Sequence, residues 1–159
     1  MDGQPTGYME RTRHYYRALG YKSDYVWAIF PDVPFVRLKK PLSQARVGLV
    51  TTAGPPGDTN RDANGVRHVW SGAVSSPPER PTTDLAWDKE STHTDDRESY
   101  LPIAAVQTLV AEGVVGDIAA RFYGVPTEYS QKKTIETDAP EVLARIREDG
   151  ADAALLCAL

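Results

Sequence analysis

Ten residues, Arg46-Val47-Gly48-Leu49-Val50-Thr51-Thr52-Ala53-Gly54-Pro55, constrain this chain more than any other stretch. Val47, Leu49 and Val50 make a short apolar run, and Gly54-Pro55-Pro56-Gly57 closes it. A run that short, bounded by Gly and Pro, reads as a buried strand of an α/β sheet and not as a helix. In open α/β sheets ligands sit beyond the carboxyl ends of the strands. Here that end carries two hydroxyls, Thr51 and Thr52, which become the first candidate substrate-binding groups.

The strand needs a domain around it, and 159 residues suffice for one with a true core. A formal charge of −4, with no basic stripe, argues against nucleic acid as a partner. No apolar run has the length of a membrane span, and the N-terminus lacks the apolar core of a signal peptide. The lone cysteine, Cys157, cannot form an internal disulfide and fits a reducing cytoplasm.

Residues 1–45 read as an N-terminal helix and a wrapping segment, and 46–159 as the sheet core of the same single domain. Tyr8 to Gly20 carries a helical stripe of Tyr8, Tyr15, Tyr16 and Leu19 with a glycine stop. Prolines 31, 34 and 41 exclude a long helix after it, yet Trp27, Ile29, Phe30, Phe35 and Val36 are expected to bury. Residues 54–80 are rich in turn formers, with a short strand near Val66–Ser71. Helices are expected from Pro102 to Glu112 and from an Asp138 cap to Gly150, with a short strand at Ile118–Tyr123 between them. The final run Ala153–Leu159 is apolar on both faces, as suits a central parallel strand reached by a crossover helix. These elements predict a Rossmann-like α/β fold: a parallel or mixed sheet flanked by helices, with long polar loops at the strand carboxyl ends.

The densest set of ionisable groups is Trp87-Asp88-Lys89-Glu90-Ser91-Thr92-His93-Thr94-Asp95-Asp96-Arg97-Glu98-Ser99-Tyr100. A histidine beside carboxylates suits general acid–base work, with His93 as the proton carrier and Asp95 or Asp96 as its orienter. The same residues also fit a solvated loop with an Asp or Ser helix cap and a surface ion pair, so both readings stay open. The spacing matches no familiar metal set, and no metal is expected. No G-x-G-x-x-G or Walker pattern occurs, and Pro55 and Pro56 remove backbone donors, so no nucleotide cofactor is expected. Cys157, among leucines, reads as a neutral core thiol.

Taken in order, several stretches are similar to the glycine/sarcosine/betaine/D-proline reductase component B (selenoprotein B) family. They are Tyr8–Arg13, Tyr15–Tyr21, Arg46–Gly54, Thr92–Arg97 with Tyr100–Ile103, Leu109–Gly116 and Glu148–Leu156. The resemblance implies reductive C–N cleavage, in which a selenolate or thiolate of a Sec/Cys-x-x-Cys motif attacks substrate held on a pyruvoyl partner subunit. That motif falls just beyond the strand matching Ala153–Leu159, and Cys157 has no companion to form it. The expectation is therefore a selenoprotein-B-like protein acting on a small carboxylate- or amine-bearing substrate by acid–base chemistry, without a cofactor. His93, Asp95 and Asp96 are its candidate catalytic residues, and Thr51, Thr52, Arg97 and Tyr100 its substrate-binding ones. The alternative is a half-site subunit that completes a partner's active site. Either way a homo-oligomer or a second protein subunit is expected.

Overall fold

A computed structural model describes residues 5–24, 26–34, 36–79, 90–91, 93–127 and 130–159. Phe35, Trp87–Lys89 and Thr92, singled out above, lie outside the described residues. The described chain divides into two compact units, Met1–Phe35 and Val36–Leu159.

The first unit centres on helix α1, Tyr8–Ala18, which buries none of its residues. Its tyrosines hold one another, Tyr16 meeting Tyr15 and Tyr21 edge-to-face at centroid distances of 5.7 and 5.3 Å. Arg17 donates two hydrogen bonds to Asp24, and Arg13 lies 5.2 Å over the Trp27 ring, so the segment after the helix folds back along it. The expected burial of Ile29, Phe30 and Val36 is not seen; all three are exposed. Apolar content gives a segment a motive to bury, but Pro31 and Pro34 deny it the regular backbone that would seat those side chains.

The second unit is a five-stranded mixed sheet with helices, an open α/β fold. Strand β1, Arg46–Thr51, is its centre, buried from Val47 to Thr51. On one side it pairs in parallel with β3, Asp117–Ile118, and then β4, Arg121–Gly124. On the other it pairs in parallel along the whole of β5, Ala153–Cys157. Strand β2, Trp70–Ala73, adds antiparallel to β4. The neighbour expected for β1 is thus present, but β5 is an edge strand and not a central one, with Leu155 and Leu156 exposed.

Two clusters cover the faces. Helix α2, Ile103–Ala111, places Ile103 and Val106 with Leu49, Ala53, Phe122, Tyr100 and Leu101. Helix α4, Ala139–Glu148, places Val142 and Ile146 with Val50, Val69 and Tyr123. The start of α4 differs from the sequence expectation. A short helix α3, Gln131–Lys133, and a π turn, Thr134–Asp138, run into it without a break. Asp138 makes no side-chain cap; it is buried and pairs with Lys133 Nζ at 3.2 Å. The wider π turn relieves the clash that Pro140 would make with the preceding turn of an unbroken α-helix.

Two glycines set how closely the strands approach. A Cβ at Gly124 would lie 1.8 Å from Trp70 Nε1, and one at Gly72 would lie 2.5 Å from the Phe122 ring. Small residues at these positions leave room for the Trp70 and Phe122 rings, which meet edge-to-face at a centroid distance of 5.3 Å.

Candidate functional site

The carboxyl end of β1 turns sharply because Thr51 Oγ1 accepts a hydrogen bond from the Ala53 amide at 3.2 Å. Thr51 is therefore buried and built into the strand end, whereas Thr52 faces the edge. Thr52 Oγ1 accepts from the Leu159 amide at 2.9 Å, and its carbonyl accepts from Thr127 Oγ1 at 3.2 Å. The ends of β1 and β5 and the segment after β4 thus converge on one residue.

A cleft opens there, lined by Thr52, Ala53, Gly54, Asn60, Arg67, Trp70, Val125, Pro126 and Thr127. The cleft is small and open to solvent, with a volume of about 10 Å³. Trp70 Nε1 donates to the Ala53 carbonyl at 2.9 Å and forms one wall. The wall opposite comes from the 54–69 loop, which is ordered around two aspartates. Asp58 accepts from Arg67 Nε at 2.9 Å and from Arg61; Asp62 accepts from the Asn64 and Val66 amides at 2.8 and 2.9 Å. These partners hold both carboxyls below the usual carboxylate range: Arg67 first for Asp58, the Val66 amide first for Asp62. Asn60 Nδ2 donates to the His68 carbonyl at 2.7 Å while its Oδ1 is buried with no partner among the described residues. Arg67, Asn60, Trp70 and Thr127 escaped the sequence reading. Their one signal is Asp58-Thr59-Asn60-Arg61-Asp62, alternate short side chains that favour local side-chain-to-backbone bonds.

The second part of the site is the loop before α2. Tyr100 is buried in the cluster that contains Ala53, so this loop is tied to the same end of β1. Its hydroxyl donates to the Thr94 carbonyl at 3.0 Å, which makes Tyr100 a prop for the loop. Asp96 caps the single 3-10 turn Arg97–Ser99 by accepting from the Glu98 amide at 3.0 Å. Glu98 in turn accepts from the Ala104 and Ala105 amides at 2.8 and 3.3 Å, capping α2 with a negative charge at its positive end. Two of the acidic residues are thus committed to helix ends, as the capping reading of the sequence expects.

His93 and Asp95 are different. Their side chains are 73% and 65% exposed, with Nδ1 and Oδ2 4.0 Å apart, a loose pair that contributes little to stability. Arg97 has unmet hydrogen-bonding capacity among the described residues. Its side chain is 27% exposed, and its Nε is buried with no hydrogen-bond partner among the described residues. Its remaining contacts, to the Pro78 carbonyl and Glu98 Oε1, are both long at 3.4 Å. None of the loop residues lines the cleft at Thr52.

The other candidates fall outside this edge. His68 Nε2 lies 3.2 Å from Asp62 and helps to close the 54–69 loop. Cys157 is half-buried, and burial pushes its thiol pKa up, away from nucleophilic character. The strongest polar network sits at the opposite, amino end of the sheet. There Arg121 donates to Asp149 and to Glu148 at 2.7 Å, Tyr123 donates its hydroxyl to Asp149, and Arg46 Nη1 donates to the Asp149 carbonyl. The Arg121 guanidinium, and then Tyr123, hold the Asp149 carboxyl below its ordinary range. Among the described residues no group of three or more metal-ligating side chains occurs, and no helix is long and apolar enough to cross a membrane.

Fold and edge together define an open α/β protein with a small cleft at the carboxyl end of its central strand. Compared with known proteins, the chain matches no family model, no curated protein and no solved structure.

Proposed function

We propose that the chain is a selenoprotein-B-like α/β protein that handles a small carboxylate- or amine-bearing molecule at the carboxyl edge of its sheet. Arg97 holds the carboxylate, and His93 carries the proton with Asp95 as its orienter. Tyr100 and Asp96 hold the loop, and Thr51 and Thr52 shape the strand end beneath it. The observation that carries this reading is the Arg97 guanidinium, whose Nε has no hydrogen-bond partner among the described residues and whose other contacts are long. The guanidinium is partly exposed and its terminal nitrogens make only two long contacts, which leaves donor capacity for a carboxylate. The family resemblance supplies the substrate class and rests on the sequence alone.

The test is a calorimetric titration with glycine, betaine and acetate of the wild type, Arg97→Lys and His93→Gln. Saturable binding of a carboxylate that Arg97→Lys weakens and His93→Gln leaves in place supports the assignment. Equal binding by wild type and Arg97→Lys removes Arg97 from the site.

A second reading has its own observation. Leu156 on the edge strand is 73% exposed, which fits a half-site subunit whose sheet edge meets another polypeptide.

A further inference from the structure

The chain has two asparagines, both in the loop that walls the cleft. Asn60 donates its Nδ2 to the His68 carbonyl at 2.7 Å, has a buried Oδ1 and precedes Arg61. Asn64 differs in each respect. It is exposed, its side-chain amide makes no hydrogen bond among the described residues, and a glycine follows it. Gly65 has a φ of 79°, and apart from its chain neighbours no heavy atom lies within 4 Å of where a Cβ would stand, so nothing screens the Asn64–Gly65 junction. The other Asn- or Asp-Gly pair among the described residues, Asp149–Gly150, lacks that freedom, because Arg121 and Tyr123 hold the Asp149 carboxylate.

We propose that Asn64 is a modification site, converting spontaneously to isoaspartate at a rate gated by the turn that Asp62 holds. The Gly65 nitrogen is the nucleophile. It attacks Asn64 Cγ, the N–Cγ bond forms, the Cγ–Nδ2 bond breaks, and Nδ2 leaves as ammonia with the proton that Gly65 gives up. Water then opens the five-membered succinimide. Opening at Cγ gives aspartate, and opening at the Asn64 backbone carbonyl carbon gives isoaspartate. One water enters, one ammonia leaves, and nothing is oxidised or reduced.

The turn opposes the first step. The Gly65 amide donates to the Asp62 carbonyl at 2.9 Å, and the Asn64 and Val66 amides donate to Asp62 Oδ1 at 2.8 and 2.9 Å. Asp62 thus engages three successive amides, the attacking one among them, and ring closure waits for the tip to open. Conversion is one-way, since the ammonia is lost. It puts a new carboxylate beside Asp62, and the isoaspartate product also adds a carbon to the main chain, so the turn does not re-form. Arg67 stays tied to Asp58 at 2.9 Å and, through its carbonyl, to Lys133 Nζ at 2.7 Å, so the loop loosens at its tip and not at its base. The inference stands apart from the proposed function and survives its failure.

The test incubates the full chain at neutral and mildly alkaline pH in heavy-oxygen water, then maps it by mass spectrometry with fragmentation that separates isoaspartate from aspartate. The expected result is acid in place of amide at position 64, carrying one heavy oxygen, with isoaspartate the larger product and Asn60 intact. The rate rises with pH, because the attacking nitrogen must lose its proton. Asp62→Ala removes the side-chain acceptor of two amides and speeds conversion by about tenfold, with tryptophan fluorescence showing the variant folded. A second measurement needs no variant: in urea below the unfolding transition, hydrogen exchange at the Gly65 and Val66 amides and conversion at Asn64 rise together. An unconverted Asn64 in the folded wild type, aspartate as the sole product, a folded Asp62→Ala that converts no faster, or exchange that rises without conversion overturns the proposal.

Discussion

Replacing Gly124 by alanine puts a methyl carbon 1.8 Å from Trp70 Nε1 and 2.4 Å from Trp70 Cδ1 and Cε2, far inside contact distance. The backbone of β4 is held on both sides, by β1 and β2, so the indole must move. Overpacking of a well-filled site costs about 1–3 kcal/mol. Moving the ring also breaks the hydrogen bond from Nε1 to the Ala53 carbonyl, worth about 1 kcal/mol more. Together the loss is about 3 kcal/mol, or about 10 °C in the unfolding midpoint of a unit this size. Urea unfolding followed by tryptophan fluorescence measures it. Trp70→Leu removes the clashing ring, so Gly124→Ala should cost far less in that background than in the wild type, a coupling that a double-mutant cycle reads directly. A loss below about 0.5 kcal/mol, or additive costs, would refute the close packing of Trp70 over Gly124 and with it the described wall of the cleft.

Other consequences follow from the same geometry. Glu98→Ala strips the cap from α2 and should cost about 1 kcal/mol in the same urea assay; a loss no greater than that of Glu112→Ala, at the far end of the helix, would contradict the capping role. Asp149 is held below its ordinary pKa chiefly by Arg121, so its contribution is present above about pH 4 and disappears as the pH falls through the lowered value. Asp149→Asn should accordingly cost about 2–3 kcal/mol at neutral pH and flatten the acid limb of the stability curve; an unchanged limb would place the acid sensitivity elsewhere. Burial raises the Cys157 pKa, so a disulfide reagent at neutral pH should react with it more slowly than with a free thiol, and an equal rate would contradict the half-buried placement.

Much of the sheet is legible in the residues themselves. The apolar run closed by Gly54-Pro55 is β1, and the run apolar on both faces is its parallel neighbour β5. Hydrophobic pattern reports which faces a strand covers, not how many strands lie beyond it, so the edge position of β5 could not be read. The same limit applies to Ile29, Phe30 and Val36, whose apolarity says nothing of what stands next to them. Asp138-Ala139-Pro140 carries every mark of a helix start, yet the buried Lys133–Asp138 pair and the π turn extend the helix through it. At the site, the acidic cluster was visible, but the division of labour within it was not. Asp96 and Glu98 serve helix ends, while Arg97 Nε has no partner among the described residues, and residue type alone does not distinguish these roles. Arg67 and Trp70 reach the cleft from residues that no local spacing joins to Thr52.

The proposed carboxylate site rests on the Arg97 guanidinium. Its Nε–H resonance, followed by two-dimensional NMR during a titration with glycine, betaine and acetate, tests it most directly. A saturable shift of that one resonance, absent in Arg97→Lys and matched by a fall in affinity of about ten- to a hundredfold in the variant, is the result expected of a bound carboxylate. An Arg97 Nε–H signal that stays put through saturating concentrations of all three ligands would contradict it.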